Sequence, residues 1–257
     1  MRIICGMVLI LSGIFAAIIF FLPEPEGFPI LEYHQTAEEP LDPDFEIYNV
    51  SPVDFTAQLD YLQAEGYTTI TLKDFMYAVK GYRTLPEKPI VLTFDDGYAD
   101  NYKVMLPILE AHGMTAVIYV ITNKLGQKNY LKLDELKDLQ KRGIEIGSHT
   151  ADHLPLTTLD NEILRRQIRE SKIYLEWSGL EPICSLSYPN GAYNAEIEQI
   201  LREENYLAAV TGDAGLNTLE TNPYELYRVH IRKPCFGLTE FKFRLWKAKF
   251  FAKLRAL

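Results

Sequence analysis

Short continuous apolar runs recur along the chain, and stretches with a helical period separate them. Such runs suit strands buried on both faces, as in a parallel sheet covered by helices. Pro29–Tyr33 predicts a first strand and Ile90–Phe94 a strongly buried one. Further strands are expected at Thr68–Thr71, Thr115–Ile121, Ile144–Gly147, Ser185–Tyr188, Leu207–Thr211 and Leu226–Ile231. Helix signals lie between them. Ser51-Pro52-Val53-Asp54 offers an N-cap, a proline at the first helical position and a carboxylate in the first turn, with the helix ending near Gly66. Helices are also expected over Leu72–Lys80, up to His112 with Pro107 near a start or kink, and over Asp134–Arg142, Asp160–Trp177 and Ala195–Glu204. Leu164, Ile168 and Leu175 share one face of the longest. Strands alternating with helices imply parallel pairing. The expected class is therefore α/β, an incomplete or distorted (β/α) barrel first and an open doubly wound sheet second. Either fold gathers its chemistry at the C-terminal ends of strands.

The N-terminus departs from this pattern. Ile3–Leu22 is apolar apart from Ser12 and two glycines, and at about 20 residues it is long enough to cross a bilayer as a helix. Arg2 precedes it, and Glu24 and Glu26 follow, so the rest of the chain is expected on the extracytoplasmic side of the cell membrane. A cleaved signal peptide is the rival, but Phe20-Phe21-Leu22-Pro23 lacks the small-x-small site that ends one. Residues 1–22 are thus expected to be a transmembrane signal anchor, 23–29 a linker, 30–240 the folded body and 241–257 a basic tail.

Charge adds to this division. The net charge is −9, yet residues 241–257 carry Lys242, Arg244, Lys247, Lys249, Lys253 and Arg255 and no acids. The body is correspondingly acidic, which does not suit nucleic acid. Phe243, Trp246, Phe250, Leu254 and Leu257 follow helical spacing in the tail. That helix is expected either on an anionic membrane or packed on the acidic body. Cys5 falls in the anchor; Cys184 and Cys235 suit free thiols better than a disulfide, although export permits one.

Three segments carry candidate chemistry, each at an expected strand end. Thr93-Phe94-Asp95-Asp96-Gly97 sets two carboxylates directly after an apolar strand, a costly place unless a cation is near. His149-Thr150-Ala151-Asp152-His153 holds two of the five histidines, four residues apart, a step that can bring two imidazoles to one ion. Asp96, His149 and His153 together make three N/O ligands, the open pattern of a catalytic site. Ser187-Tyr188-Pro189-Asn190-Gly191 is a strand entering a turn, and its Pro-Asn-Gly also suits a plain turn.

In order, these segments resemble the first three motifs of the polysaccharide deacetylase family, the NodB-homology domain of carbohydrate esterase family 4. The resemblance covers roughly residues 28–235. It implies a distorted (β/α) barrel that removes acetyl groups from an N-acetylated polysaccharide. It also implies Asp95 as catalytic base, Asp96, His149 and His153 as ligands of one divalent ion with zinc the first candidate, and Asn190 N–H with Tyr188 at the oxyanion and substrate. Leu31-Glu32-Tyr33-His34 is similar to the N-terminal motif of the poly-N-acetylglucosamine deacetylase branch, which makes His34 the general acid in preference to His230. The family's arginine beside the base is replaced by Ser187, with Arg228 as a substitute. A non-catalytic glycan-binding protein and an amidase for a small substrate are the competing readings.

Overall fold

The computed structural model describes residues 26–255. The expected anchor at 1–22 lies outside them, and among the described residues no helix is long and apolar enough to cross a membrane. Strands β1 (Ile30–Tyr33), β2 (Thr68–Thr69), β3 (Pro89–Phe94), β4 (Val117–Val120), β5 (Glu145–Ser148), β6 (Ser185–Ser187), β7 (Ala208–Val210) and β8 (Val229–His230) form one sheet. Its order is β7-β6-β5-β4-β3-β1-β8, with β2 beside the start of β3. All of these pairings are parallel. The sheet curls until a single parallel bridge, Val210 to Leu226, joins β7 to the segment that leads into β8. This is the distorted barrel rather than the open doubly wound sheet.

The apolar runs explain the interior. Ile90, Val91, Leu92 and Phe94 are wholly buried, as are Ile30, Leu31 and Tyr33 of the neighbouring strand. Helices cover the outside: α1 (Pro52–Ala64), α2 (Leu72–Val79), α3 (Leu106–Ala111), α4 (Leu133–Lys141), α5 (Asn161–Trp177), α6 (Ala195–Glu203) and α7 (Leu238–Arg255). Side chains cap most of them as the sequence implies. Ser51 accepts from Asp54 N at 3.1 Å, Asp160 from Ile163 N at 2.9 Å and Asn194 from Ile197 N at 2.9 Å. Leu164, Ile168 and Leu175 face inward from α5.

Several boundaries differ. The expected strand at Thr68–Thr71 stops at Thr69, because Thr71 caps α2 in a reciprocal box with Asp74. Pro107 sits in the first turn of α3, after a π turn over Asn101–Met105. A 3-10 segment at Pro43–Tyr48, without apolar period, was not expected. The tail differs most. Its helix starts at Leu238, and the face it buries is Phe241, Leu245 and Ala248, not the Phe243–Trp246–Phe250 face. Phe241 meets Tyr61 of α1 edge-on at 6.1 Å. Cys184 and Cys235 are both free thiols.

Candidate metal and catalytic centre

The C-terminal strand ends converge on one cavity of about 690 Å³. His34, Asp95, Asp96, His149, His153, Tyr188, Asn190 and His230 all line it. Every site residue expected from the sequence is therefore brought together, although the segments lie far apart in the chain.

Backbone conformation aims these side chains. Asp96, Thr150, His153 and Asn190 have positive φ, between 59° and 74°. Non-glycine residues avoid this region, and such strain gathers where a site requires it. Gly97, at φ 76°, follows Asp96, and a Cβ there would lie 2.9 Å from Val120 Cγ1. Gly97→Ala is therefore expected to lower stability by about 1–3 kcal/mol, read as an earlier urea midpoint with an unchanged slope. The loop bearing the histidines is tied down separately. Asp152 N donates to Gln167 Oε1 at 2.9 Å, and Gln167 Nε2 donates back to Asp152 Oδ2 at 2.6 Å.

Asp96 Oδ1 stands 3.6 Å from His149 Nε2 and 3.7 Å from His153 Nε2. These separations are too long for hydrogen bonds. Four ligands about 2.1 Å from a tetrahedral ion would be spaced about 3.4 Å apart. His149 Nδ1 lies 2.7 Å from the Ser187 carbonyl, so Nδ1–H donates there and Nε2 keeps its lone pair. Burial, followed by the neighbouring His149, lowers the His153 pKa and favours the neutral, ligating ring. The donor set thus fits a divalent cation of the zinc type.

Asp95 lies beside this set, 2 % exposed, with Oδ2 3.9 Å from His149 Nε2. Its carboxylate accepts from Ser187 Oγ at 2.9 Å and from Arg228 Nη1 at 2.9 and 3.0 Å. Burial alone would raise its pKa; the Arg228 guanidinium overrides this, with help from His149 and His34, and holds it at about 2. Arg228 is itself buried. Its Nη2 lies 2.9 Å from Glu32 Oε2, and its Nε donates to the Thr211 carbonyl at 2.9 Å. The guanidinium beside the base therefore comes from Arg228, while position 187 supplies only a hydroxyl.

His230 stands between two acceptors, Glu32 Oε1 at 2.9 Å from Nδ1 and the Gly212 carbonyl at 2.8 Å from Nε2. Only the doubly protonated ring can donate to both. The bond to Glu32 raises its pKa accordingly. A histidine raised in the folded state adds stability that is full below its ordinary pKa of 6.5 and is lost as pH climbs through the raised value. Unfolding free energy is thus expected to fall as pH rises above 6.5, with His230→Gln flattening that fall in denaturation series at several pH values.

His34 contrasts with it. The ring is half-buried and tilts against Tyr48 at 4.7 Å, and Nδ1 is buried without a hydrogen-bond partner. One of its nitrogens lies within 4.8 Å of a carboxylate oxygen on both Glu32 and Asp95. Tyr188 reaches the cavity, but its phenol is wholly buried and donates to the Tyr224 carbonyl at 2.9 Å.

Known proteins resemble this chain in sequence and in fold. The polysaccharide deacetylase domain profile matches residues 82–209. YxkH of Bacillus subtilis, assigned by name to the polysaccharide deacetylases, is 31% identical over 208 residues, which cover 81% of this chain and 72% of that protein. The chain belongs to the polysaccharide deacetylase family. It is a hydrolase acting on carbon–nitrogen bonds, an N-deacetylase. The poly-beta-1,6-N-acetyl-D-glucosamine N-deacetylase of Staphylococcus aureus is 25% identical, covering 74% of this chain and 70% of its own. Among solved structures, the Streptococcus pyogenes deacetylase PplD in complex with acetate superposes with a TM-score of 0.77 at 27% identity, covering 85% of this chain and 98% of that one.

In this polysaccharide deacetylase the cavity also contains residues that the sequence reading passed over. Glu32 bridges Arg228 and His230. Glu32 and His34, at and just past the end of β1, line the cavity together with Arg228 and His230, just before and at the end of β8. The register pairs Glu32 with His230 across β1 and β8. A carboxylate inside the apolar Ile30–Tyr33 run was the available signal. Phe45 and Tyr48 from the 3-10 segment, and Tyr98 stacked on Tyr130 at 5.2 Å, line the same cavity and carried no such mark.

Proposed function

We propose that this protein removes N-acetyl groups from an N-acetylglucosamine polymer outside the cytoplasm, releasing acetate. The carrying observation is the buried Asp95, paired with Arg228, beside the ligand atoms of Asp96, His149 and His153, which stand close together in one cavity without hydrogen-bonding one another. A divalent ion bound by those three residues, zinc first among candidates, would polarise the acetamide carbonyl and acidify a water at its open position. Asp95 accepts a proton from the attacking water, and Ser187 and Arg228 fix both of its oxygens for that task. The backbone N–H of Asn190 stabilises the negative charge that develops on the carbonyl oxygen. His34 gives a proton to the departing amine. His34 lines the cavity and, among the described residues, neither of its ring nitrogens is held by a protein hydrogen bond, whereas both His230 nitrogens face acceptors. The carbon–nitrogen bond then breaks to give acetate and a glucosamine unit.

A polymer suits the cavity better than a small amide. Phe45, Tyr48 and Tyr130 give it apolar rings on which sugar faces can stack, with Tyr98 buried behind Tyr130. The names of the relatives point the same way. A glycan-binding protein without catalysis would have no use for a buried charge network that is costly to assemble. The apolar Ile3–Leu22 segment supports a single-pass anchor with the body outside.

The test is acetate release from poly-β-1,6-N-acetylglucosamine, peptidoglycan and chitin oligomers, with and without chelator. Release from at least one glycan, abolished by chelator and restored by a divalent ion, is the expected result. Release only from small acetamides would instead support the amidase reading.

A further inference from the structure

Helix α7 is apolar on two opposite sides. Phe241, Leu245 and Ala248 are buried against the body. At about 100° per residue, Phe243, Trp246 and Phe250 fall within about 60° of one another on the far side. Phe243 is 56% exposed and Trp246 is 54% exposed. Their rings form a continuous stack, Phe243 on Trp246 at 5.6 Å and Trp246 on Phe250 at 5.0 Å. Isolated exposed rings need no explanation, but an ordered aromatic ridge along one helix marks an interaction surface.

Cations flank that ridge on both sides. Lys242 and Lys249 extend over Tyr61 and Tyr67, at 4.6 and 5.7 Å from the ring centroids, and Lys247 lies on the opposite flank over Phe251 at 5.8 Å. Arg244 is not among them, since it turns inward to Glu240 and to the His230 carbonyl. The segment 241–257 has no acid, although the whole chain is net negative at −9. Apolar rings between rows of lysine are the composition of a helix that lies in the headgroup layer. Tryptophan in particular favours that layer, and each lysine near an anionic surface adds to the attraction.

We propose that the outward face of α7 docks on an anionic lipid surface. The surface is independent of the N-terminal segment and of the catalytic assignment. The ends of the body agree with it. Arg244 touches the carbonyl of His230 at the C-terminal end of β8, whereas Lys249 reaches Tyr67, just before β2. The helix therefore descends toward the rim of the barrel where residues 26–29 enter β1, and the cavity opens at the other rim. Docking along α7 would leave the cavity mouth clear of the lipid.

The chain has two tryptophans, and Trp177 is 88% exposed on α5, so the full-length W177F chain leaves Trp246 as the sole reporter. It is mixed with phosphatidylglycerol or phosphatidylcholine vesicles, with brominated or plain acyl chains. The expected result is a blue shift and loss of Trp246 emission on brominated phosphatidylglycerol, weaker on phosphatidylcholine. Replacing Lys242, Lys247 and Lys249 with Gln should remove the preference for phosphatidylglycerol. Vesicle-bound protein whose Trp246 emission ignores bromination would overturn the proposal while leaving an N-terminal anchor intact. A blue shift that grows with protein concentration in the absence of lipid would assign the ridge to a second copy of the chain and also overturn it.

Discussion

Asp95→Asn is expected to lower kcat by about 10²–10⁴-fold, the usual contribution of a positioned general base. The amide keeps the shape and can still accept a bond from Arg228 through its oxygen, but it cannot take a proton from water. Ser187 Oγ and Arg228 Nη1 hold the native oxygens within 2.9–3.0 Å, so the replacement should sit in nearly the same place. Binding of glycan, measured calorimetrically, should change much less than turnover. An equal loss in substrate affinity and none in kcat would mean that Asp95 only positions the sugar.

The second large effect concerns stability. Arg228→Met removes the guanidinium that neutralises Asp95 and Glu32 together, all three side chains being at most 8% exposed. Breaking a buried pair from one side typically costs about 3–5 kcal/mol, because the remaining charge stays buried with less to offset it; here Glu32 would keep only His230, and Asp95 only the Ser187 hydroxyl and the neighbouring histidines. Burial alone pushes both carboxyl pKa values up, and Arg228 is the main force that lowers them. The variant should therefore unfold earlier in denaturant and lose stability further as pH rises and both acids ionise. Glu32→Gln added to Arg228→Met should recover part of the stability by removing one of two buried carboxylates that repel each other once the guanidinium is gone. It should not recover activity, since Asp95 would still lack its guanidinium. A fully stable single variant would show that water reaches this network, contrary to its burial.

Much of this architecture was legible in the sequence because the apolar runs and caps are local. Ile90–Phe94 reads as a buried strand whatever surrounds it, and Ser51 with Pro52 starts a helix wherever it lies. The placement of Asp95, Asp96, His149 and His153 followed from one rule, that parallel strands deliver their chemistry at their C-terminal ends. The charge network was not legible, because Glu32 and Arg228 lie at opposite ends of the body and meet only through the β1–β8 register. The inward face of α7 was hidden for a different reason. Apolar residues occupy both sides of that helix, so periodicity alone could not say which side Tyr61 and the barrel would cover. The 3-10 segment at Pro43–Tyr48 has no period at all, and its Tyr48 reaches His34 only in the folded chain.

The central claim is that one cation is gripped by Asp96, His149 and His153 while Asp95 stays outside the ligand set. Calorimetric titration of zinc into the metal-stripped full-length chain tests it most directly, with Asp95→Asn, Asp96→Asn, His149→Ala and His153→Ala alongside. A single tight site that survives in Asp95→Asn and is lost or strongly weakened in the other three is the expected result. Unchanged zinc affinity in Asp96→Asn and the two histidine variants would contradict the account, whatever their activity.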